Sequence, residues 1–158
     1  MRILVFSDSH GNIEGCEKVI RTISGVGMIL HAGDHASDAR RLEQMFPDIP
    51  VHYVNGNCDF SSAPQELVIV ADGHKIFLTH GHNYYVKSEE NYTTLINKAL
   101  SAECGCVVFG HTHLPYNDCS KKITVLNPGS IKYTKTYGVI ETENGILRSA
   151  VCDASYII

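Results

Sequence analysis

Arg2-Ile3-Leu4-Val5-Phe6-Ser7-Asp8-Ser9-His10 begins as an unbroken apolar run and ends in a carboxylate and an imidazole. Residues 2–7 of this stretch read as a β-strand. Residues 12–24 read as a helix, because Ile13, Cys16, Val19, Ile20 and Ile23 fall on one face, and Gly25 and Gly27 end it. Met28-Ile29-Leu30 is a second strand, and residues 36–46 form a second helix with Leu42, Met45 and Phe46 inward and Pro47 as its stop. Val51 to Val54 is a third strand. An opening β-α-β-α-β order predicts a parallel sheet with right-handed crossovers.

The second half has a different grammar. Residues 66–71 and 75–79 read as a hairpin turned at Asp72-Gly73. Residues 88–102 read as a helix with Ser88 as its N-cap and Glu89 and Glu90 in the first turn. Cys106 to Phe109 is a strand, and residues 123–126, 137–142 and 146–152 complete a mostly antiparallel set turned at Glu143-Asn144-Gly145. The expectation is an α/β (α+β) fold of two packed mixed sheets with helices outside, in one domain over residues 1–158.

Composition sets limits. Of the 158 residues, 44% are hydrophobic, enough for a substantial core. A net charge of −4 argues against a protein that grips nucleic acid through its phosphates, so no strong nucleic-acid binding is expected. It leaves room for a small phosphorylated ligand, since a bound metal reverses the local field. No apolar stretch approaches a membrane-spanning length, and the first apolar run is short for a signal-peptide core, so a cytoplasmic protein with no membrane partner is expected. The six cysteines form no Cys-x-x-Cys pair and read as reduced thiols, with Cys104 and Cys106 as buried hydrophobes rather than metal ligands.

Five strands run into chemically similar ends: Asp8 and His10; Gly33-Asp34; Asn55-Gly56-Asn57-Cys58-Asp59; His80-Gly81-His82; and Gly110-His111-Thr112-His113. Ligands of such sheets bind at the carboxyl ends of the strands. Asp, His and Asn are hard or borderline metal ligands. Any one of these motifs alone is ordinary; five of them, each after a strand, point to a metal site.

The same motifs, in this order, resemble the calcineurin-like metallophosphoesterase superfamily. The small size, Gly56-Asn57-Cys58-Asp59, His80-Gly81-His82 and Asn127-Pro128-Gly129-Ser130 resemble its small prokaryotic phosphodiesterase branch. The resemblance implies a four-layer α-β-β-α sandwich. It also implies two divalent metal ions, one held by Asp8, His10, Asp34 and His113, the other by Asp34, Asn57, His80 and His111. Asp34 would bridge the ions roughly 3.5–4 Å apart, and a hydroxide between them would attack phosphorus in line. Manganese is the first choice of metal, with nickel, iron, zinc or cobalt also acceptable to such a shell.

The implied substrate is a small phosphodiester, with Asn57, Cys58, His82 and Ser130 as its contacts. Cys58 stands where many members of the superfamily have His. A thiol donates protons poorly, so diesters with acidic leaving groups are favoured. His82 reads either as a contact to the phosphate or as a hydrogen-bonding support, and Asp59 either caps the Asn57 turn or supports a ligand. His35 reads as a solvated loop residue. Tyr84, Tyr85, Tyr133 and Tyr137 read as packing and surface residues, and His31, His52 and His74 carry no role. Two rivals accompany this reading: a monoesterase or nucleotidase using the same centre, and a non-catalytic scaffold like the retromer subunit of this fold. Lys132 and Lys135 are the only cations expected near the cleft, which favours diesters over monoesters. A homo-oligomer is left open.

Overall fold

In the computed structural model, which describes residues 1–158, the first strand shows why its sequence is apolar throughout. In β1 (Arg2–Phe6), Ile3 and Val5 enter one apolar layer and Leu4 and Phe6 another, and all four are wholly buried. A strand covered on both faces has no polar side to alternate with. The chain continues through α1 (Ile13–Thr22), β2 (Val26–His31), α2 (Ala36–Met45), β3 (Val51–Tyr53), β4 (Glu66–Ala71), β5 (His74–Thr79) and α3 (Thr93–Ser101). It ends with β6 (Cys106–Val108), β7 (Tyr116–Asp118), β8 (Thr124–Asn127), β9 (Thr136–Glu143) and β10 (Ile146–Asp153).

The strands form two mixed sheets, ordered β10-β9-β1-β2-β3 and β4-β5-β6-β8-β7. β1, β2 and β3 run parallel, as do β5, β6 and β8. Three apolar clusters separate the layers. One lies between the sheets, with Val5, Leu30, Leu78 and Val108. A second packs Leu4, Phe6 and Ile29 against Val19, Ile20 and Leu42 of the first two helices. A third packs Phe77, Val107 and Val125 against Leu95 and Ala99 of α3. The result is the α-β-β-α sandwich, in which each fully buried aliphatic chain contributes about 1.5–3 kcal/mol. No helix is long and apolar enough to cross a membrane.

Three elements differ from expectation. Residues 124–127 leave the set formed by β9 and β10 and pair parallel with β6 in the other sheet. β7, which the sequence reading missed, carries the strand-poor residues Asn117 and Asp118, pairs with β8 alone, and is tied to β10 by Asn117 Nδ2 donating to Ser149 O at 3.0 Å. The third helix begins at Thr93 rather than Ser88. Ser88 donates its hydroxyl to Tyr85 O, and Glu89 caps from outside the helix by accepting from Thr94 N at 2.8 Å. Neither glycine ends the first helix as expected: it stops at Thr22 with Ile23 extended as its C-cap, Gly25 (φ 71°) lies in the turn that follows, and Gly27 lies inside β2.

Candidate metal centre

The carboxyl ends of β1, β2 and β3 in one sheet meet those of β5 and β6 in the other. Asp8 N donates to Gly33 O at 2.9 Å, and Gly110 N donates to His80 O at 3.0 Å. The turns are strained. Asp8, His10, Asp34, His111 and His113 have φ of 52°, 43°, 58°, 68° and 60°, so five of the seven expected ligands occupy the left-handed region. Each such residue costs on the order of 1–3 kcal/mol and persists only where its surroundings hold it.

Those surroundings are identifiable. The Asp59 carboxylate accepts from four backbone N–H groups: Asp34 (2.9 Å), His35 (2.9 Å), Ala36 (2.9 Å) and Gly56 (2.8 Å). It caps α2, whose own N-cap residue, His35, makes no side-chain cap, and it ties the Asp34 turn to the Asn57 turn. This settles the capping alternative for Asp59. Asp38 Oδ2 accepts from Gly11 N (2.8 Å) and so fixes the turn after His10. Asn127 Nδ2 donates to Gly110 O (3.1 Å) and Thr112 Oγ1 (3.0 Å), fixing the Gly-His-Thr-His turn. The elements approach closely at two glycines. A Cβ at Gly56 would stand 2.1 Å from Asp34 Oδ1, and one at Gly110 would stand 1.9 Å from Ser7 Oγ.

The side chains converge as expected. One ligand atom from each of Asp8, His10, Asp34 and His113 lies within 4.8 Å of the others. His113 Nε2 is 3.1 Å from Asp8 Oδ1, and His10 Nε2 is 3.6 Å from Asp34 Oδ2. Asp8 Oδ1 and His10 Nε2 are both buried without any hydrogen-bonding partner. Such orphaned atoms are costly in a protein interior, and a cation between them removes that cost.

The second group shows the same need. His80 Nδ1 lies 2.7 Å from Ala32 O, which only accepts, so Nδ1 carries the proton. In the neutral ring Nε2 is then a bare lone pair. It faces Asn57 Oδ1 at 3.0 Å and Asp34 Oδ1 at 3.4 Å, with Asn57 Nδ2 turned toward Cys58 Sγ (3.6 Å). Three electron-rich atoms thus meet with no hydrogen between them. His111 is looser: its ring lies 5.0 Å from that of His80.

Electrostatics keep the imidazoles ready to bind. Burial pushes His80 down to about 4, with His111 and His82 adding to the shift and Asp34 and the Ala32 carbonyl opposing it. Burial also lowers His10 and His111. Burial raises Asp8 to about 6, reinforced by the Asp34 charge and opposed by Ser7 and His113. Burial disfavours the Asp34 anion too, but His80, the Cys58 backbone and His10 outweigh it and hold Asp34 below the ordinary carboxylate range. Burial lifts the Cys58 thiol, with Asp34 and Asp59 adding, which keeps the proton on sulfur. Cys104 and Cys106 are buried free thiols, Cys106 pushed up to about 12 by burial.

Several expected roles change. Ser130 is wholly buried, donates Oγ to Asp8 O (2.7 Å) and accepts from Tyr133 N (3.0 Å). With no exposed atom to offer, it positions Asp8 instead of touching substrate as expected. Tyr133 is no mere surface residue: its ring stacks on His113 at 5.2 Å and lies 5.5 Å from His10. Lys132 donates to His10 O (3.1 Å), but Lys135 acts on Asp153, away from the centre. The cation missed in its place is Lys87, whose charge reaches His111. His82 lies 5.4 Å from His80 ring to ring, with a buried, unpartnered Nδ1.

His31 also gains a role. Its Nδ1 accepts from Gly33 N (3.1 Å), so Nε2–H donates to Ser9 Oγ (2.8 Å), joining the two turns that carry Asp8, His10 and Asp34. No motif announced His31 or Ser130 as a support, because Ser9 and Asp8 lie 22 and 122 residues away from them.

Asp59→Ala strips four backbone donors of their acceptor. The variant is expected to lose about 2 kcal/mol of stability, a fall in Tm of about 4–8 °C. Its metal affinity should drop at least about tenfold, the effect of losing a ligand's support. Calorimetric melting and metal titration check both; a parent-like Tm contradicts the assigned role.

The comparisons with known proteins agree with this geometry. Residues 1–145 match the calcineurin-like phosphoesterase superfamily domain. A probable metallophosphoesterase of Bacillus subtilis, YsnB, is 33% identical over 155 residues, covering 91% of this chain and 86% of its own. The Escherichia coli phosphodiesterase YfcE is 27% identical, with coverages of 90% and 89%. A crystal structure of a conserved Streptococcus pneumoniae protein, described as a predicted phosphoesterase, superposes with a TM-score of 0.78 at 30% identity, covering 97% of this chain and 89% of that one. With the sandwich, the strand-end carboxylates and imidazoles and the match over most of its length in agreement, the chain belongs to the calcineurin-like phosphoesterase superfamily.

Proposed function

We propose that the protein hydrolyses small phosphodiesters using two divalent cations that share Asp34. Asp8, His10, Asp34 and His113 hold one; Asp34, Asn57, His80 and His111 hold the other. The observation that carries this reading is the meeting of the bare His80 Nε2 with Asn57 Oδ1 and Asp34 Oδ1, beside the orphaned Asp8 Oδ1 and His10 Nε2. Bound there, the ions would supply a hydroxide nucleophile at neutral pH and stabilise charge developing on the phosphoryl oxygens.

The chain's own groups do the rest. The His80 Nδ1–H bond to Ala32 O fixes the tautomer that presents Nε2. His111 N and Ser7 Oγ donate to Asp8 Oδ2 and aim Oδ1 inward. Lys87 and Lys132 put positive charge beside the imidazoles, which draws in an anionic ester. His82, whose ring lies 5.4 Å from that of His80 and 6.1 Å from that of His111, is the residue we assign to the phosphate. The protonated Cys58 thiol is a weak donor beside the site, which favours leaving groups that need no proton, such as aryl oxides.

Chelator-treated protein tests this reading. With bis(4-nitrophenyl) phosphate, added manganese should raise the rate at least about 10³-fold, as expected for metal-assisted displacement. The monoester 4-nitrophenyl phosphate should be slower; a faster rate on it favours the monoesterase. Metal binding with no turnover under any divalent ion contradicts the enzyme and favours the scaffold.

A further inference from the structure

A groove leads away from the candidate centre along the start of α2. Its near end is lined by His35, Cys58 and Phe60. His35 lies 5.3 Å from His10 ring to ring, and Cys58 N donates to Asp34 Oδ1 at 3.1 Å, so this end abuts the ligands. The Phe60 ring is fully exposed at the groove wall. Ser37 and Ser61 line both this end and a larger hollow of about 610 Å³ that runs to Arg40. That volume is of the size that takes small ligands. Ser37 and Arg40 stand three residues apart on α2 and so share a face. Arg40 is one of seven lysines and arginines that make no ion pair, and of all thirteen it alone lines this groove. In a chain of net charge −4, an unpaired guanidinium lining a groove that starts beside the candidate ligands fits a distal anion.

We propose that this groove holds the non-leaving arm of the substrate, and that this arm is a nucleoside carrying a second phosphate. The base lies on Phe60 and the distal phosphate pairs with Arg40. The assignment rests on the phosphodiesterase reading and narrows it to nucleotide-derived diesters. Stacking on an exposed ring tolerates any base, so Phe60 selects for a flat ring without selecting its sequence. The planar guanidinium matches two phosphate oxygens at once, which a lysine does not.

The test uses the full chain loaded with manganese and two aryl diesters, thymidine 5′-(4-nitrophenyl phosphate) and the same compound with a 3′-phosphate. The 3′-phosphate should lower KM about fivefold at unchanged kcat, the scale of an exposed ion pair. Arg40→Gln should bring the two KM values together, and Arg40→Lys should restore part of the gap. Phe60→Ala should raise KM for both thymidine esters about fivefold or more. Equal KM values for the two esters in the parent protein overturn the groove assignment, as does an Arg40→Gln variant that keeps the gap. Bis(4-nitrophenyl) phosphate separates the two ideas: if it is cleaved while the esters behave alike, only the groove assignment falls; if it is not cleaved, the phosphodiesterase reading falls with it.

Discussion

Asp34→Asn is expected to cut hydrolysis of an aryl phosphodiester by about 10³-fold or more, because losing a bridging ligand removes transition-state stabilisation of roughly 4 kcal/mol. The two Asp34 oxygens point into different halves of the site. Oδ1 faces His80 Nε2 at 3.4 Å, while Oδ2 faces His10 Nε2 at 3.6 Å. An amide of the same shape fills the space but gives one half a pair of N–H donors, which repel a cation. One formal charge is also lost. The metal-free variant should lose some stability, since the fold favours the Asp34 anion through His80, the Cys58 N–H and His10. Elemental analysis of the folded variant should find at least one ion fewer per chain. Parent-like stoichiometry together with a parent-like rate contradicts the bridging role.

Metal binding should stabilise the protein far more at pH 8 than at pH 5. Asp8 ionises near 3.8 in the unfolded chain but at about 6 in the metal-free fold, chiefly because it is buried. The fold therefore holds this proton more tightly than the unfolded chain does. The stability this gives is fully present below pH 3.8 and is lost as pH rises through 6, a loss of about 3 kcal/mol by linkage. His31 and His80 act in the opposite sense. Burial depresses both to about 4, so the stability they contribute is present above pH 6.5 and fades as pH falls toward 4. Two histidines outweigh one carboxylate, so the stability of metal-free protein should rise with pH across this range and level off near pH 7.

A cation replaces the proton at Asp8 and uses the neutral His80, so its gain is largest where Asp8 is ionised. Saturating manganese should raise Tm by about 10 °C at pH 8 and by only about 3 °C at pH 5. Scanning calorimetry across this range checks the sign. An equal rise at both pH values would falsify the assignment of Asp8 to the metal.

The parts of the molecule legible in the sequence are those whose signals are local. The apolar run ending in Asp8 and His10 reveals both a doubly covered strand and the place where it opens to the site. Gly110-His111-Thr112-His113 and Gly56-Asn57 announce tight turns carrying the proposed ligands, and the close approaches at Gly56 and Gly110 give those glycines their reason. What stayed hidden depends on contacts between distant segments. Ser130 looks like any turn serine until the fold sets it against Asp8, 122 residues away. His31 looks like a strand residue until Ser9 and Gly33 close on its two nitrogens. Asp59 looked like a local cap, yet three of its four donors come from the Asp34 turn and α2. The sequence predicts too early a start for the third helix because Ser88 and Glu89 carry cap chemistry, and the local sequence does not say which groups receive it.

Crystals grown with manganese, with anomalous scattering collected at its absorption edge, test the central claim most directly. Two peaks are expected, both in contact with Asp34, one among Asp8, His10 and His113 and the other among Asn57, His80 and His111. A lone peak in fully loaded protein, or a second ion bound away from Asn57 and His111, contradicts the shared-carboxylate centre on which the proposed chemistry stands.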